Sequence, residues 1–212
     1  MKNIFITLTL IWGLAGLSEA GAQECDSLLT LVRAKYQTIN DLKAHVVQTI
    51  LSATTGNNVR FEGELEIKRP NKLRMDIAKP DKQQIICDGS AIWMHLVDEK
   101  QVLKSDLKSS PQFLVWLNPL DKLLSGRAND GCRTNGDYQF FMEMEVGEMR
   151  DIIKAVKIVV ERKSLLIIGM EAVDVNGNSA EYSFSKIKIN PGLKDNRFEF
   201  VIPKNVELIE NQ

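Results

Sequence analysis

The chain has 212 residues, of which 44% are hydrophobic and 26% are charged, a composition that fits one folded β-rich domain. Lysines and arginines total 27 against 28 aspartates and glutamates, so the formal net charge is -1 at pH 7. Because binding to nucleic acid draws on an excess of basic residues, this balance argues against nucleic acid as a partner.

The N-terminus has the three parts of a secretory signal peptide. A short basic start, Met1–Asn3, precedes an apolar run from Ile4 to Leu17, and Ala20-Gly21-Ala22 supplies the small residues that a signal peptidase reads. The apolar run is shorter than the ~20 residues of a membrane-spanning helix, although a transmembrane anchor is the alternative interpretation. We predict a signal peptide over residues 1–22 and a single mature domain over residues 23–212.

Three cysteines remain in the mature chain, Cys25, Cys87 and Cys132. An exported protein meets an oxidising compartment, so one disulfide can form, and three pairings exist. Cys87 ends an apolar run and is expected to be a buried small hydrophobe. By elimination, Cys25 with Cys132 is the disulfide that we predict.

A helix and then a pair of alternating strands open the mature chain. Apolar residues recur at three- and four-residue spacing from Leu28 to Ile39, and Asp26 or Ser27 can cap this helix. From Val59 to Lys68 apolar side chains alternate with charged ones, as in a strand with one dry and one wet face. The alternation resumes after Pro70-Asn71, which predicts an antiparallel pair joined by a short turn.

Further strands are predicted on either side of a second helical segment. Apolar residues from Phe113 to Leu124 fit a helix that Gly126 ends and that Pro119 bends or splits. The polar segment 128–136 is predicted to be a loop. The other predicted strands are Gln83–Cys87, Ala91–Val97, Gln101–Asp106, Tyr138–Val146, Ile152–Val160, Leu165–Val173, Ala180–Ile189 and a short one near Phe198–Val201.

These elements predict a mainly β protein of the α+β class. A sheet of about ten antiparallel strands must curve, and its apolar concave face must be covered. Only two helical segments are available for this, so we predict an unclosed antiparallel β-barrel, a half-barrel of about ten to eleven strands with a helical lid. Such a fold encloses an apolar space that suits a lipid. A fully packed core without a cavity is the alternative.

The sequence lacks the motifs that carry catalysis or bind a metal. The two histidines, His45 and His95, lie within predicted strands, and neither has an Asp, Cys or His neighbour at metal-ligand spacing. No nucleophile elbow, phosphate loop or dinucleotide fingerprint is present. We therefore expect that the protein is not an enzyme and holds no metal and no cofactor.

Several short motifs point to a known family. They are Phe61-Glu-Gly-Glu-Leu-Glu-Ile-Lys-Arg-Pro-Asn71, Pro80-Asp81, Asp88-Gly89-x-x-x-Trp93, His45-Val-Val-Gln48-Thr49 and the ending Phe198-Glu-Phe-Val-Ile-Pro-Lys-Asn-Val206. In these motifs the chain resembles the LolA family, the periplasmic carriers of outer-membrane lipoproteins. The similarity spans nearly the whole mature chain, and Lys68-Arg69-Pro70-Asn71 is its most specific element.

Arg69 is the residue singled out by both pattern and resemblance. Strand alternation places it in register with the dry face, where a guanidinium needs acceptors such as the carbonyls of a lid. The alternative is that Pro70 turns the side chain into solvent. The arginine of this motif holds the lid closed in the family, so the resemblance implies that Arg69 is the lid latch.

The resemblance also implies location, partners and cargo. It implies a periplasmic carrier that receives acylated lipoproteins from an inner-membrane ABC transporter and delivers them to an outer-membrane lipoprotein acceptor. Leu73 and Met75 stand where better-known members carry aromatic residues, so a carrier of another lipid for an export pump is the alternative, and a lipid-sensing regulatory module is a third interpretation. We expect a monomer. The residues predicted to line the acyl-chain cavity are Phe61, Leu65, Ile67, Leu73, Met75, Ile77 and Trp93 on the sheet, with Phe113, Leu114 and Leu117 on the lid.

Overall fold

The structure is a computed structural model that describes residues 16–108, 128–135, 139–144 and 151–211. These residues form one α-helix, twelve strands and a short 3₁₀ helix. In chain order the elements are α1 (Gly16–Gln37), β1 (Asp41–Leu51), β2 (Asn58–Lys68), β3 (Lys72–Lys79), β4 (Gln83–Cys87), β5 (Ala91–Leu96), β6 (Gln101–Asp106), β7 (Ala128–Asn135), β8 (Gln139–Met144), β9 (Ile153–Glu161), β10 (Leu166–Asp174), β11 (Ser179–Ile189), the 3₁₀ helix (Asp195–Phe198) and β12 (Glu207–Asn211).

All twelve strands belong to one sheet, in the order β12-β6-β5-β4-β3-β2-β1-β11-β10-β9-β8-β7. Neighbours are antiparallel, except that β12 pairs with β6 in parallel. Within the described ranges the outermost strands, β12 and β7, do not pair with each other, so the sheet stays open. This confirms the predicted mainly β fold, an unclosed half-barrel accompanied by a helix, with twelve strands rather than ten to eleven.

Two segments fold differently from their prediction. Residues 128–135, predicted to be a loop, form the edge strand β7, because pairing with β8 provides backbone hydrogen bonds that do not depend on an apolar sequence. The short strand predicted near Phe198–Val201 is replaced by the 3₁₀ helix and an extended segment, and the last strand begins at Glu207. The predicted lid residues Phe113, Leu114 and Leu117 lie outside the described residues.

Helix α1 is the described element that covers the apolar side of the sheet. It begins at Gly16 and so crosses the predicted signal-peptide cut after Ala22. Leu29, Val32 and Tyr36, spaced by three and four residues, are at most 3% exposed. The backbone N–H of Ile167 donates to the Tyr36 hydroxyl at 2.8 Å, and burial raises the pKa of Tyr36 to about 12. The helix therefore lies against β7 and β10 with a protonated tyrosine as one anchor.

The sheet face that packs with α1 is apolar, and we call it the inner face. Strand pairing places Ala44, Leu65 and Met75 side by side on β1, β2 and β3, and none is more than 5% exposed. The same face continues through the other half of the sheet in one buried core. Its buried members there include Tyr182, Met170, Ile158 and Val156.

The opposite, outer face is charged, and the C-terminal crossing, residues 190–206, runs over it. The crossing starts beside β1, where Asp41 accepts the backbone N–H of Leu193 at 3.0 Å. Over β2, Arg197 donates from Nη2 to Oε1 of Glu66 at 2.9 Å, and Lys43 of β1 donates to the same oxygen at 3.1 Å. The chain then continues to β12 beside β6, at the edge of the sheet. This crossing explains why β12 runs parallel to its neighbour.

Glu66 is a buried carboxylate that its partners keep ionised. The alternation in β2 predicts a wet face for it, yet the C-terminal crossing leaves it only 3% exposed. Burial raises the pKa of Glu66, but hydrogen bonds from Arg197 and Lys43 outweigh burial, so the pKa lies below its ordinary value. The stabilisation from this carboxylate is therefore present above about pH 4.3, the ordinary value, and is lost as the pH falls through the lower folded-state pKa.

We expect Glu66→Gln to lower the free energy of unfolding at neutral pH by about 1.5–3 kcal/mol, the range for hydrogen bonds to a charged group. Glu64→Gln is the matched control on the same strand, because the Glu64 side chain is 45% exposed. Its expected effect is within about 0.5 kcal/mol. Urea unfolding of both variants and the wild type measures the difference, which should shrink in acid. Equal effects of the two substitutions at neutral pH would contradict the role given to Glu66.

Candidate ligand cavity

Among the described residues, two cavities lie on the inner face, one on each side of β1, and their walls are mostly apolar. The β9–β11 cavity has a volume of about 350 Å³, and the β2–β5 cavity has a volume of about 190 Å³. Ile50 of β1 lines both. The other residues lining the β9–β11 cavity are Ser52, Ile153, Met170, Ala172, Asp174, Asn178, Ser179, Ala180 and Tyr182. Those lining the β2–β5 cavity are Gln48, Phe61, Leu73, Met75, Ile77, Gln83, Ile85 and Met94.

The structure places most of the predicted sheet residues on the inner face. Phe61, Leu73, Met75 and Ile77 line the β2–β5 cavity. Leu65 and Ile67 share this face, but Leu65 lies in the buried core and Ile67 packs against it. The alternation in β2 and β3 was sufficient to find these positions, since every second residue of a strand points to the same face.

Trp93, predicted to line the cavity, lies on the outer face. The pairing of β5 with β4 sets Trp93 beside Ile86, and the pairing of β4 with β3 sets Ile86 beside Arg74 of the charged face. The ring of Trp93 stacks on Phe200 of the C-terminal crossing, with ring centroids 5.3 Å apart. The prediction for Trp93 was wrong. In β5 it is the next residue, Met94, that points to the inner face, so Trp93 points to the outer face.

Sequence reasoning missed half of the site. Ile85 and Met94 follow the alternation of β4 and β5 and could have been found from it. The β9–β11 cavity could not be found in this way, because it forms only where β1 pairs with β11, whose residues are more than 100 positions away in sequence. Ile50 and Tyr182 reach this cavity from those two paired strands.

Arg69 directly follows β2, two residues after Ile67, the last inner-face residue of that strand. Its backbone N–H donates to the carbonyl of Asn40 at 2.9 Å. The residue is half-buried, and its Nε atom is buried. A half-buried Arg69 agrees with the prediction that its side chain is in register with the apolar face of β2. The lid that Arg69 is predicted to hold lies outside the described residues, so its role as a latch stays a prediction.

Of the three cysteines, the structure describes the side-chain environment of Cys87 only. Cys87 is a buried free cysteine, as predicted; its Sγ donates to the carbonyl of Asn71 at 3.3 Å, and burial raises the pKa of the thiol. Cys25 belongs to α1 and Cys132 to β7, and these two elements lie against each other. The side chains of Cys25 and Cys132 are outside the described part of the structure, so their disulfide stays a prediction.

The charged groups near His45 belong to the outer face. Nδ1 of His45 lies 3.2 Å from Oε1 of Glu64, and Nε2 lies 3.5 Å from Oε1 of Glu62. A hydrogen bond from Lys79 lowers the pKa of Glu62. Among the described residues, no three His, Cys, Asp or Glu side chains are grouped so that they could hold a metal ion. The described residues include no helix that is long and apolar enough to cross a membrane.

An open antiparallel sheet with cavities on an apolar inner face defines a class of proteins suited to sheltering an apolar ligand. Residues 37–201 match the family model described as outer membrane lipoprotein carrier protein LolA. The chain belongs to the LolA family.

Relatives match this chain over nearly their whole length. An outer-membrane lipoprotein carrier protein of Chromobacterium violaceum is 29% identical over 214 residues, covering 99% of this chain and 98% of the relative. One from Legionella pneumophila is 24% identical over 212 residues, covering 99% and 100%. The crystal structure of an uncharacterized conserved protein from Thermus thermophilus superposes with a TM-score of 0.54 at 11% identity, covering 89% of this chain and 100% of that one. This last similarity shows the fold alone.

We expect Ala172→Trp to fill the β9–β11 cavity and to weaken binding of a fluorescent fatty acid about tenfold, which corresponds to about 1.4 kcal/mol. Glu171→Trp is the matched control, because Glu171 lies next to Ala172 on the same strand but points to the other face, where it pairs with Lys157. Fluorescence titration of both variants measures the two affinities. The same loss in both variants would contradict the assignment of this cavity to the ligand.

Proposed function

We propose that the protein binds the acyl chains of lipoproteins in the cavities of its inner face and carries them from the inner to the outer membrane. The observation that supports this most is the pair of cavities with apolar walls in a chain of the LolA family. Transfer of an acyl chain into water costs about 0.8 kcal/mol per methylene. A carrier that covers the chain with apolar side chains removes this obstacle to crossing the periplasm.

Release requires that binding is not too strong. The gross gain for a chain of sixteen carbons is on the order of 12 kcal/mol by the same coefficient. Opening the protein and fixing the chain subtract much of this gain. Met75 and Met94 in the wall of the β2–β5 cavity are flexible and polarizable, so they adapt to a moving chain without a rigid fit.

The proposed route needs a location, a donor and an acceptor. A signal peptide over residues 1–22 would deliver the mature domain, residues 23–212, to the periplasm. An inner-membrane ABC transporter would supply the lipoprotein, and an acceptor at the outer membrane would take it. The names of the relatives, outer-membrane lipoprotein carrier proteins, support this cargo. In this proposal the protein acts as a monomer, without catalysis and without a cofactor.

Arg69 is proposed to hold the lid over the inner face until cargo enters. Its buried Nε atom and its place at the end of the inner-face row support this role. A guanidinium offers five N–H donors in a planar fork, which suits the carbonyl oxygens of a lid segment. Loss of the latch would favour the open, loaded state, because the ligand no longer competes with these hydrogen bonds.

We expect Arg69→Leu, purified from periplasm, to carry more co-purified lipoprotein than the wild type, by about threefold or more if one hydrogen bond to the lid is lost. Arg60→Leu is the matched control, since Arg60 is an exposed arginine of β2 with the opposite phase. Mass spectrometry of organic extracts and of the bound protein measures the cargo.

Each outcome of this comparison has a separate meaning. Lipoprotein bound to the wild type, with no increase in Arg69→Leu over Arg60→Leu, would support the carrier and contradict the latch. A free phospholipid in place of lipoprotein would favour the carrier of another lipid. Absence of any bound lipid, together with no displacement of a fluorescent probe by fatty acid, would contradict the proposed function.

We expect the periplasmic protein to contain a Cys25–Cys132 disulfide, because α1 lies against β7 and carries one cysteine to the strand that carries the other. Alkylation under denaturing conditions without reductant should then label one thiol, that of Cys87. Peptide mapping identifies the linked pair, and Cys87→Ala serves as the control that retains it. Labelling of three thiols would contradict the disulfide.

A further inference from the structure

A hydrogen-bonded polar pair interrupts the apolar inner face where the two cavities meet. Gln48 of β1 is the cross-strand partner of Tyr182 of β11, and its Nε2 donates to the Tyr182 hydroxyl at 2.8 Å. Gln48 lines the β2–β5 cavity and Tyr182 lines the β9–β11 cavity. Ile50, which follows on the same face, lines both. The polar pair therefore stands on the boundary between the two cavities.

Core packing alone does not require polar side chains at this boundary. A polar group among apolar ones is unfavourable unless it is hydrogen-bonded. Tyr182 is 3% exposed, and burial raises the pKa of its hydroxyl well above the ordinary value although the bond to Gln48 lowers it. Apolar residues of similar shape would fill the same space without needing this bond. The pair is thus explained better by a polar group on the ligand than by stability.

Gln48 retains hydrogen-bonding capacity toward the cavity. A primary amide has two N–H donors and one carbonyl acceptor. One N–H of Gln48 is directed to Tyr182, and within the described residues the second N–H and the Oε1 atom make no hydrogen bond. Gln48 is half-buried and lines a cavity, so a ligand there can reach its amide.

We propose that Gln48, positioned by Tyr182, binds the ester or amide carbonyl of the ligand at the point from which its acyl chains diverge, so that one chain enters each cavity. This inference rests on the proposed function. A diacylglyceryl ester has the required form, because two apolar chains leave one compact region that bears carbonyl oxygens. The amide N–H of Gln48 would donate to such an oxygen. The site would then select a lipid with two chains over a free fatty acid.

The test compares two lipopeptides with identical chains, one a diacylglyceryl ester and the other its dialkyl ether analogue without carbonyls. We expect the wild type to bind the ester about 3- to 10-fold more tightly, the effect of one hydrogen bond. Gln48→Leu should lose this preference, because the ester then gains no hydrogen bond that the ether lacks. Gln84→Leu is the matched control, because Gln84 lies on the outer face, where its amide donates to Asp76 at 2.8 Å, and this variant should keep the preference.

A second variant and a second lipid complete the design. Tyr182→Phe removes only the hydroxyl that positions Gln48, so it should reduce the preference for the ester, and it serves as the test if Gln48→Leu does not fold. A phospholipid with the same chains contains the same diacylglyceryl ester. A Gln48-dependent preference for ester over ether in both lipids supports the contact, and the tighter of the two esters identifies its source.

Equal affinity of the wild type for ester and ether would overturn the inference and leave the proposed function intact. A preference that Gln48→Leu retains would overturn it as well. Failure of the wild type to bind either lipopeptide would contradict the proposed function itself, so the two failures are distinguishable.

Discussion

The carboxylate of Glu66, buried on the outer face and paired with Arg197 and Lys43, ties the C-terminal crossing to the centre of the sheet. The ion pairs of Asp195 in the same crossing are more exposed. Asp195 lies 3.0 Å from the ammonium groups of both Lys68 and Lys72, but its side chain is 63% exposed, so solvent screens these pairs. Glu66 is buried, so solvent screens its pairs with Arg197 and Lys43 less than it screens those of Asp195.

The C-terminal crossing covers part of the outer face of the sheet, and the cavities lie on the opposite, inner face. A strand presents alternate side chains to its two faces, so the crossing covers outer-facing side chains of β1 and β2 while the inner-facing ones line the cavities. The stacking of Phe200 on Trp93 extends this cover as far as β5. The described cavities lie on the inner face, which the crossing does not cover. The two faces of the sheet therefore differ in use: the outer face binds the crossing through charged side chains, and the inner face forms the apolar walls of the cavities.

Local alternation was enough to predict the sheet and one wall of the site. Leu73, Met75 and Ile77 were found because their phase is set by neighbours one and two positions away. The environment of Glu66 was not predictable in this way, since the residue that covers it, Arg197, is 131 positions distant. The environment of Trp93 was not predictable from local sequence either, because its ring stacks on Phe200 of the C-terminal crossing, which is distant in sequence. β7 lacks an apolar pattern and depends on pairing with β8.

The position of β1 unites these features. It lies between the half of the sheet built from β2 to β6 and the half built from β7 to β11, so residues that it contributes to the inner face touch both cavities. A continuous apolar trough across β1 would hold a single long chain most strongly. The Gln48–Tyr182 pair divides it instead, which lowers affinity for an unbroken hydrocarbon and favours a ligand that is itself polar at the point where its chains meet. Such a division suits a carrier, because selectivity comes from matching one polar group and release is not hindered by excess apolar contact.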